Sequence, residues 1–333
     1  METIRDYGPG LALLSAIALA STFLAQFLPP YIGALFIAVV LGVIVANLFR
    51  LDPEVYDTGI RLGLKKFLKL AIVLLGAGVT FQEILGFGPE ALGIILVLIG
   101  FVFATTFVLS KVMGIGLRKT LLIAVGISIC GNTAVATTAP LVDARDDEVA
   151  MAVGIVTLFG VIGVLLYPFI GLLLEMPDLV FGMWAGTAIN DTSQVVAAGF
   201  IYGEEAGTVA TTIKLARNVM IVPVVVGVGY YYAKQTREKS QEKVRIAEVF
   251  PMFVLGFVAL ALVNSLAMIP ESISALLVDI SGVLILFALA GIGLGVRLQA
   301  FTRIGWKPFV VGFSVELALA VVALGLIYVV MGG

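Results

Sequence analysis

Histidine is absent from this chain and cysteine occurs once, at Cys130. Without histidine there is no imidazole proton relay, no histidine-containing zinc site and no histidine-based catalytic triad. A single cysteine excludes an internal disulfide and any cysteine cluster that would hold a metal. Charge is scarce as well. Asp, Glu, Lys and Arg make up 13% of the 333 residues, whereas a soluble domain carries about 25%. The net charge of −2 gives no basic footprint for nucleic acid. No Walker motif is present, which argues against an ATP-driven pump, and no cofactor is expected.

What the chain has instead is apolar sequence, 61% of its residues, and this makes it an integral membrane protein. Runs long enough for, or close to, the ~20 residues that span a bilayer fall at about 10–28, 31–49, 67–81, 91–110, 149–174, 208–233, 248–267, 275–296 and 308–331. Ala18-Leu19-Ala20 resembles a signal-peptidase site, but the residues before it carry one Arg against Glu2 and Asp6, so the first run reads as an uncleaved span. Pro29-Pro30 predicts a tight turn after it. Lys and Arg concentrate in alternate connections: Arg50, Arg61, Lys65 and Lys66; Lys111, Arg118 and Lys119; Lys234–Arg245; Arg303 and Lys307. The connections between them carry Glu83, Glu90, Glu175, Asp178, Glu204, Glu205 and Glu271. The positive-inside rule then puts the N-terminus in the cytoplasm and the C-terminus outside. Residues 234–247 read as a cytoplasmic linker within a single membrane domain, 1–333, with half-repeat regions at 30–175 and 180–333.

The halves are related by an internal repeat. At a constant offset of 217 residues, Asn47 matches Asn264, Pro53-Glu54 matches Pro270-Glu271, and Gly76-x-Gly78-Val79 matches Gly293-x-Gly295-Val296. Gln82 then matches Gln299, and Gly88 matches Gly305. Loops in equivalent places carry opposite charge, acidic at Glu83 and Glu90 but basic at Arg303 and Lys307. Opposite sign means that the copies sit upside down, the inverted repeat of secondary transporters. A second offset, of 60 residues, pairs Ile129 with Ile189, Val135 with Val195 and Val149-Ala150 with Val209-Ala210. It superposes two polar-studded stretches, GISICGNTAVATTAP (Gly126–Pro140) and GTAINDTSQVVAAG (Gly186–Gly199). If both dip into the membrane and return, they enter from opposite faces and the two-fold symmetry closes. The prediction is therefore nine crossings plus two re-entrant or broken segments.

Polar sequence at membrane depth survives only where it is buried in protein or lines a wet cavity, and an acid there marks a functional site by default. Breaking a helix at mid-membrane exposes N–H groups that attract anions and C=O groups that hold cations. In the first stretch the candidates for substrate contact are Ser128, Cys130, Gly131, Asn132 and Thr133; in the second they are Asn190, Thr192, Ser193 and Gln194. Thr137 and Thr138 fit ordinary helix packing better, and Cys130 also suits a packing role. Asp191, the one acid in either stretch, could couple to H⁺ or Na⁺ or sit in a fixed ion pair. Lys214 and Arg217, three residues apart and hence on one helix face, could neutralise Asp191 or attract an anionic substrate. Glu316 is either a second protonatable group or a partner for Arg297. Asp143, Asp146, Asp147 and Glu148 read as a solvated loop rather than a metal site.

The stretches KFLKLAIVLLGAGVTFQEI (Lys66–Ile84), Gly126–Pro140 and Gly186–Gly199, in this order, resemble the YeiH-type sulfate-exporter family of bacterial and archaeal inner-membrane proteins. The resemblance covers essentially the whole chain. It implies a multi-span transporter with an inverted-repeat architecture similar to sodium/proton antiporters and bile-acid-type carriers, and it raises the expectation of an anion. The chain departs from the pattern at Asn132-Thr133, where Ser or Ala is expected after Cys-Gly.

The fold expected is all-α and polytopic, with about nine to eleven transmembrane segments. The function expected is secondary transport of a small anion by alternating access, with a cation/proton antiporter using Asp191 as the alternative. An intramembrane enzyme using Cys130 or Ser128 would have only Lys or Asp as activator, so the chain is read as a non-enzyme. The partners expected are a small anionic solute, H⁺ or Na⁺ as a coupling ion, the lipid bilayer and, as an open option, a second copy in a homodimer, but no nucleic acid.

Overall fold

The computed structural model describes residues 4–28, 33–49, 51–80, 82, 88–236, 252–297 and 305–331. Among them there is helix and no strand. The helices run in order as α1 (Ile4–Ala25), α2 (Ala34–Leu48), α3 (Pro53–Arg61) and, after a π-helical turn at Leu62–Phe67, α4 (Leu68–Leu75). Then follow α5 (Gly88–Met113), α6 (Leu117–Ser128), α7 (Asn132–Thr138), α8 (Asp146–Leu173), α9 (Asp178–Ala188), α10 (Thr192–Tyr202) and α11 (Glu204–Val219). The last are α12 (Ile221–Thr236), α13 (Met252–Ser265), α14 (Glu271–Gly295) and α15 (Trp306–Met331).

Among the described residues, six stretches are long and apolar enough to cross a bilayer: Tyr7–Ala25, Gly88–Met113, Asp146–Leu173, Glu204–Thr236, Glu271–Gly295 and Trp306–Val330. Ala34–Leu48 and Met252–Ser265 are shorter apolar helices. The chain is a multi-pass, all-helical membrane protein. The predicted turn at Pro29-Pro30, the linker beyond Thr236, and Arg50, Glu83, Gln299 and Arg303 lie outside the described residues.

Two compact units divide the chain, and each draws on both halves of the sequence. The first comprises Met1–Phe87, Val196–Thr208 and Met252–Leu298. Here α2 packs on α14 by backbone contact at Gly42 and Gly293. A Cβ on Gly42 would lie 2.8 Å from Gly293 Cα, and one on Gly293 2.9 Å from Gly42 Cα, so any side chain would push the helices apart. The Asn residues matched by the 217-residue offset make exchanged hydrogen bonds. Asn47 donates its side-chain amide to Val296 O at 2.7 Å, and Asn264 donates to Val79 O at 3.3 Å. Val79 and Val296 are themselves a matched pair, so each copy's Asn closes the chain turn of the other.

The second unit comprises Gly88–Val195, Val209–Pro251 and Gln299–Gly333. In it α15 packs on α5, α8 and α9, and α6 packs on α5 and α8. Phe159 of α8 meets Phe309 and Phe313 of α15, and Trp184 of α9 donates its indole N–H to Ala320 O at 2.8 Å. Trp184 also stacks on Tyr167 of α8 with centroids 4.2 Å apart. Gly88 and Gly305, matched at the same offset, both adopt left-handed backbone, with φ of 68° and 80°. At the start of α8, Glu148 accepts from Arg145 N at 3.1 Å, and Asp147 pairs with the Arg145 guanidinium at 3.0 Å. The acidic cluster thus caps a helix, where negative charge is favoured.

Candidate functional site

Both polar stretches are interrupted helices, and both interruptions lie in the second unit. The first helix half, α6, is buried from Thr120 onward and stops at Ser128. Ile129 turns out of helical geometry at φ −120° and ψ −97°, and Gly131 takes φ 64°, ψ −123° before α7 begins. That backbone favours glycine, and a Cβ there would lie 2.9 Å from Val156 Cγ1 and 3.3 Å from Asp191 Cα. The second half-helix, α9, stops at Ala188, with Ile189 extended. Asp191 then caps α10, accepting from Ser193 N at 2.9 Å and from the Ser193 hydroxyl. The contact between Gly131 and Asp191 brings the two breaks together.

Each break leaves carbonyls at a helix C-terminus without helical partners, and buried carbonyls need donors from elsewhere. Lys214 and Arg217, from α11, fill that need. The Lys214 ammonium donates to Ile129 O at 2.7 Å and to Ile189 O at 3.0 Å. Arg217 donates from Nε to Ser128 O at 2.7 Å and from Nη1 to Thr187 O at 2.6 Å and Ile189 O at 3.2 Å. Its Nη2 reaches Ile127 O. Lys214 is 0% exposed and Arg217 2%. These carbonyls are the ones that the 60-residue offset pairs: Lys214 joins Ile129 to Ile189, and Arg217 joins Ile127 to Thr187. Two basic side chains therefore lie on the negative ends of two helices.

The amino ends present a different surface. Asn132, Asp191, Thr192 and Ser193 are partly exposed and Thr133 is exposed, whereas Ser128, Cys130, Gly131, Asn190 and Gln194 are buried. Asn132 exchanges hydrogen bonds with the Thr157 hydroxyl of α8 at 3.3 and 3.4 Å, and Gln194 donates to Thr157 O at 3.2 Å. Asn218 donates to the Thr192 hydroxyl at 3.0 Å. The amide oxygens of Asn190, Gln194 and Asn218 are buried without a hydrogen-bond partner. Thr157 and Asn218 escaped the sequence reading, since lone polar residues within long apolar helices carry no pattern that points across space.

Glu316 lies on α15, where its carboxylate accepts from the Asn190 amide. Arg297 stands 3.6 Å from Asp57 in the first unit. Lys214 and Arg217 hold helix ends, and Asp191 takes its hydrogen bonds from Ser193.

Two interrupted helices joined at their breaks by Lys214 and Arg217, in a chain of apolar spans, give a multi-pass membrane protein a buried polar centre. The chain belongs to the family described as conserved hypothetical protein 698, whose family model matches residues 9–312, and whose curated members are UPF0324 membrane proteins, also called YeiH. A UPF0324 membrane protein of Clostridium tetani is 32% identical over 336 residues, covering 97% of each chain. One from Fusobacterium nucleatum is 32% identical, covering 95% of this chain and 96% of the relative. One from Corynebacterium glutamicum is 33% identical, covering 96% and 92%.

Proposed function

We propose that this chain is a secondary transporter, not an enzyme, that moves a small anion, sulfate-like or organic, across the cytoplasmic membrane by alternating access. The observation that carries this reading is the placement of Lys214 and Arg217 on the carbonyl ends of both broken helices. Those ends are where a broken helix would hold a cation, and here they are already taken. The polar groups that remain partly accessible, Asn132, Thr157, Thr192 and Ser193, gather at the amino ends of α7 and α10. A further cation would meet the basic groups of Lys214 and Arg217, whereas an anion gains from them.

The architecture we infer has nine crossings and two broken segments related by an inverted repeat. The exchanged bonds of Asn47 and Asn264 support the repeat, because a two-fold axis swaps equivalent partners. Opposite loop charges support the inversion, and the Lys/Arg bias supports a cytoplasmic N-terminus and an external C-terminus. Asp191 favours a second reading, cation/proton exchange, since its partly exposed carboxylate forms no ion pair among the described residues.

Thermal unfolding of the purified protein with sulfate, sulfite, dicarboxylates or amino acids, each as Na⁺ and K⁺ salts, separates the two. A ligand that binds only the native state stabilises it by about 2.7 kcal/mol at a hundred times its Kd. The anion reading expects a shift that follows the anion, ignores the cation, and shrinks in an Asn132→Ala, Ser193→Ala double variant. The variant also removes the general salting effect of sulfate from the comparison. A shift that follows Na⁺ whatever the anion would overturn it.

A further inference from the structure

Glu316 is held in a defined place. One turn before it, Gly312 lies against Phe159 of α8, where a Cβ would come within 3.2 Å of the ring. One turn after it, Ala320 O accepts the Trp184 indole of α9 at 2.8 Å. Between these fixed points the carboxylate is buried, accepts from the Asn190 amide, and forms no ion pair among the described residues. Asn190 itself is 1% exposed, and its amide oxygen has no partner.

The chemistry of this pair distinguishes the two states of the acid. An ionised carboxylate only accepts, so it can take the Asn190 N–H but leaves the Asn190 oxygen bare. A protonated acid also carries an O–H donor. One oxygen then accepts from the Asn190 amide nitrogen while the hydroxyl donates to the Asn190 oxygen, closing a ring of two hydrogen bonds. A buried carbonyl oxygen left without a donor costs about 1–3 kcal/mol, and the acid form alone removes that cost. We propose that Glu316 is a proton-binding site at membrane depth and that Asn190, in the second helix break, is the residue that reads its protonation.

Asp191 is placed differently: its carboxylate accepts from Ser193 N and the Ser193 hydroxyl at the N-terminus of α10. The charged and titratable groups around Glu316 are Lys214 and Arg217 of α11 and Tyr167 of α8. Among the other helices packed on α15, α5 carries Glu90 and Lys111 near its ends, α6 carries Arg118 and Lys119 in its first turn, and α9 carries Asp178 at its start. Asn190 directly follows Ile189, whose carbonyl is shared by Lys214 and Arg217, so a change in its bonds is felt where the breaks are joined. Coupling of that change to solute movement rests on the transporter reading above; the proton site does not.

Infrared difference spectra of the purified full chain between acidic and alkaline buffer test the assignment without any solute. The protonated carboxyl has a C=O band separate from amide and carboxylate absorption. The expected result is a titrating band in the wild type that persists in Asp191→Asn and is lost in Glu316→Gln. Glu316→Gln should fold, because a glutamine amide can both donate to and accept from Asn190, and the pH dependence of its thermal unfolding should flatten. In Asn190→Leu the band should remain, with its titration midpoint moved. A band kept in Glu316→Gln, or no titrating carboxyl band in the wild type, overturns the proton site. An unmoved midpoint in Asn190→Leu overturns the role of Asn190. Loss of the anion-dependent thermal shift with the band intact would instead fault the transport reading.

Discussion

Replacing Lys214 by methionine removes a charge from the most enclosed part of the protein while nearly preserving side-chain volume. Ile129 O then loses its donor, 2.7 Å away, and Ile189 O keeps only its 3.2 Å bond from Arg217. One buried carbonyl left bare costs about 1–3 kcal/mol. Two helix ends that converge without their cation add up to about 2 kcal/mol each at a partly buried site. Against this stands relief from burying an ammonium, which amounts to several kcal/mol, so the terms offset in part. With the losses at their upper ends, about 7 kcal/mol at so buried a site, and a relief of about 3–5 kcal/mol, the net loss should be about 2–4 kcal/mol, read as a lower midpoint in denaturant unfolding in mixed micelles. Lys214→Arg, which keeps the charge and adds donors, should recover at least half of it. The reasoning fails if Lys214→Met lies within about 0.5 kcal/mol of the wild type, the range of an inconsequential surface change. A Lys214 that served solute attraction alone would behave in that way, losing binding while leaving stability alone.

Gly131→Ala should cost about 2–4 kcal/mol in the same unfolding assay, since it forces left-handed backbone on a residue with a Cβ and presses that carbon against Val156 and Asp191. Asn47→Ala and Asn264→Ala should each cost about 1 kcal/mol and resemble one another, because each removes the same bond from one side of a repeated contact. Strongly unequal losses would speak against the repeat. The Arg145 guanidinium holds the Asp147 carboxyl below the usual carboxylate range. Its contribution is present above the unfolded carboxylate value and lost as pH falls through the lower, folded one. Asp147→Asn should therefore lower stability slightly at neutral pH and flatten the acid limb of the stability curve. High salt should have the same effect, because the pair is exposed.

Much of this was legible in the chain because it is written in residue types with a fixed backbone meaning. Gly131, the run from Asn190 to Gln194, and the matched Gly88 and Gly305 are all places where the backbone departs from a helix or needs positive φ, and the interruptions fall there. The repeat offsets also reached into three dimensions, since Asn47 and Asn264 bind each other's matched valine. The partners of Lys214 and Arg217 were out of reach for a definite reason. They are backbone carbonyls, which every residue possesses, so neither Ile127 nor Ile189 advertises that it will accept from a guanidinium. The Glu316–Asn190 pair joins residues 126 positions apart, and no periodicity connects them.

The joining of both breaks to one helix also bears on how they can move. Lys214 and Arg217 are three residues apart on α11, so each reaches a carbonyl of both breaks from one rigid face. Sliding one break past the other would strip at least one buried cation of an acceptor, and leaving such a charge unpaired costs several kcal/mol. The ends of α6 and α9 are therefore tied into one body with α11, and the lower-cost motions are those that carry all three together. In a transporter that requirement favours displacement of an intact site over its disassembly. Glu316 is attached to that body through a side-chain amide rather than a charge pair, so on the proton-site proposal it is the contact that a proton would alter without releasing Lys214 and Arg217 from the helix ends.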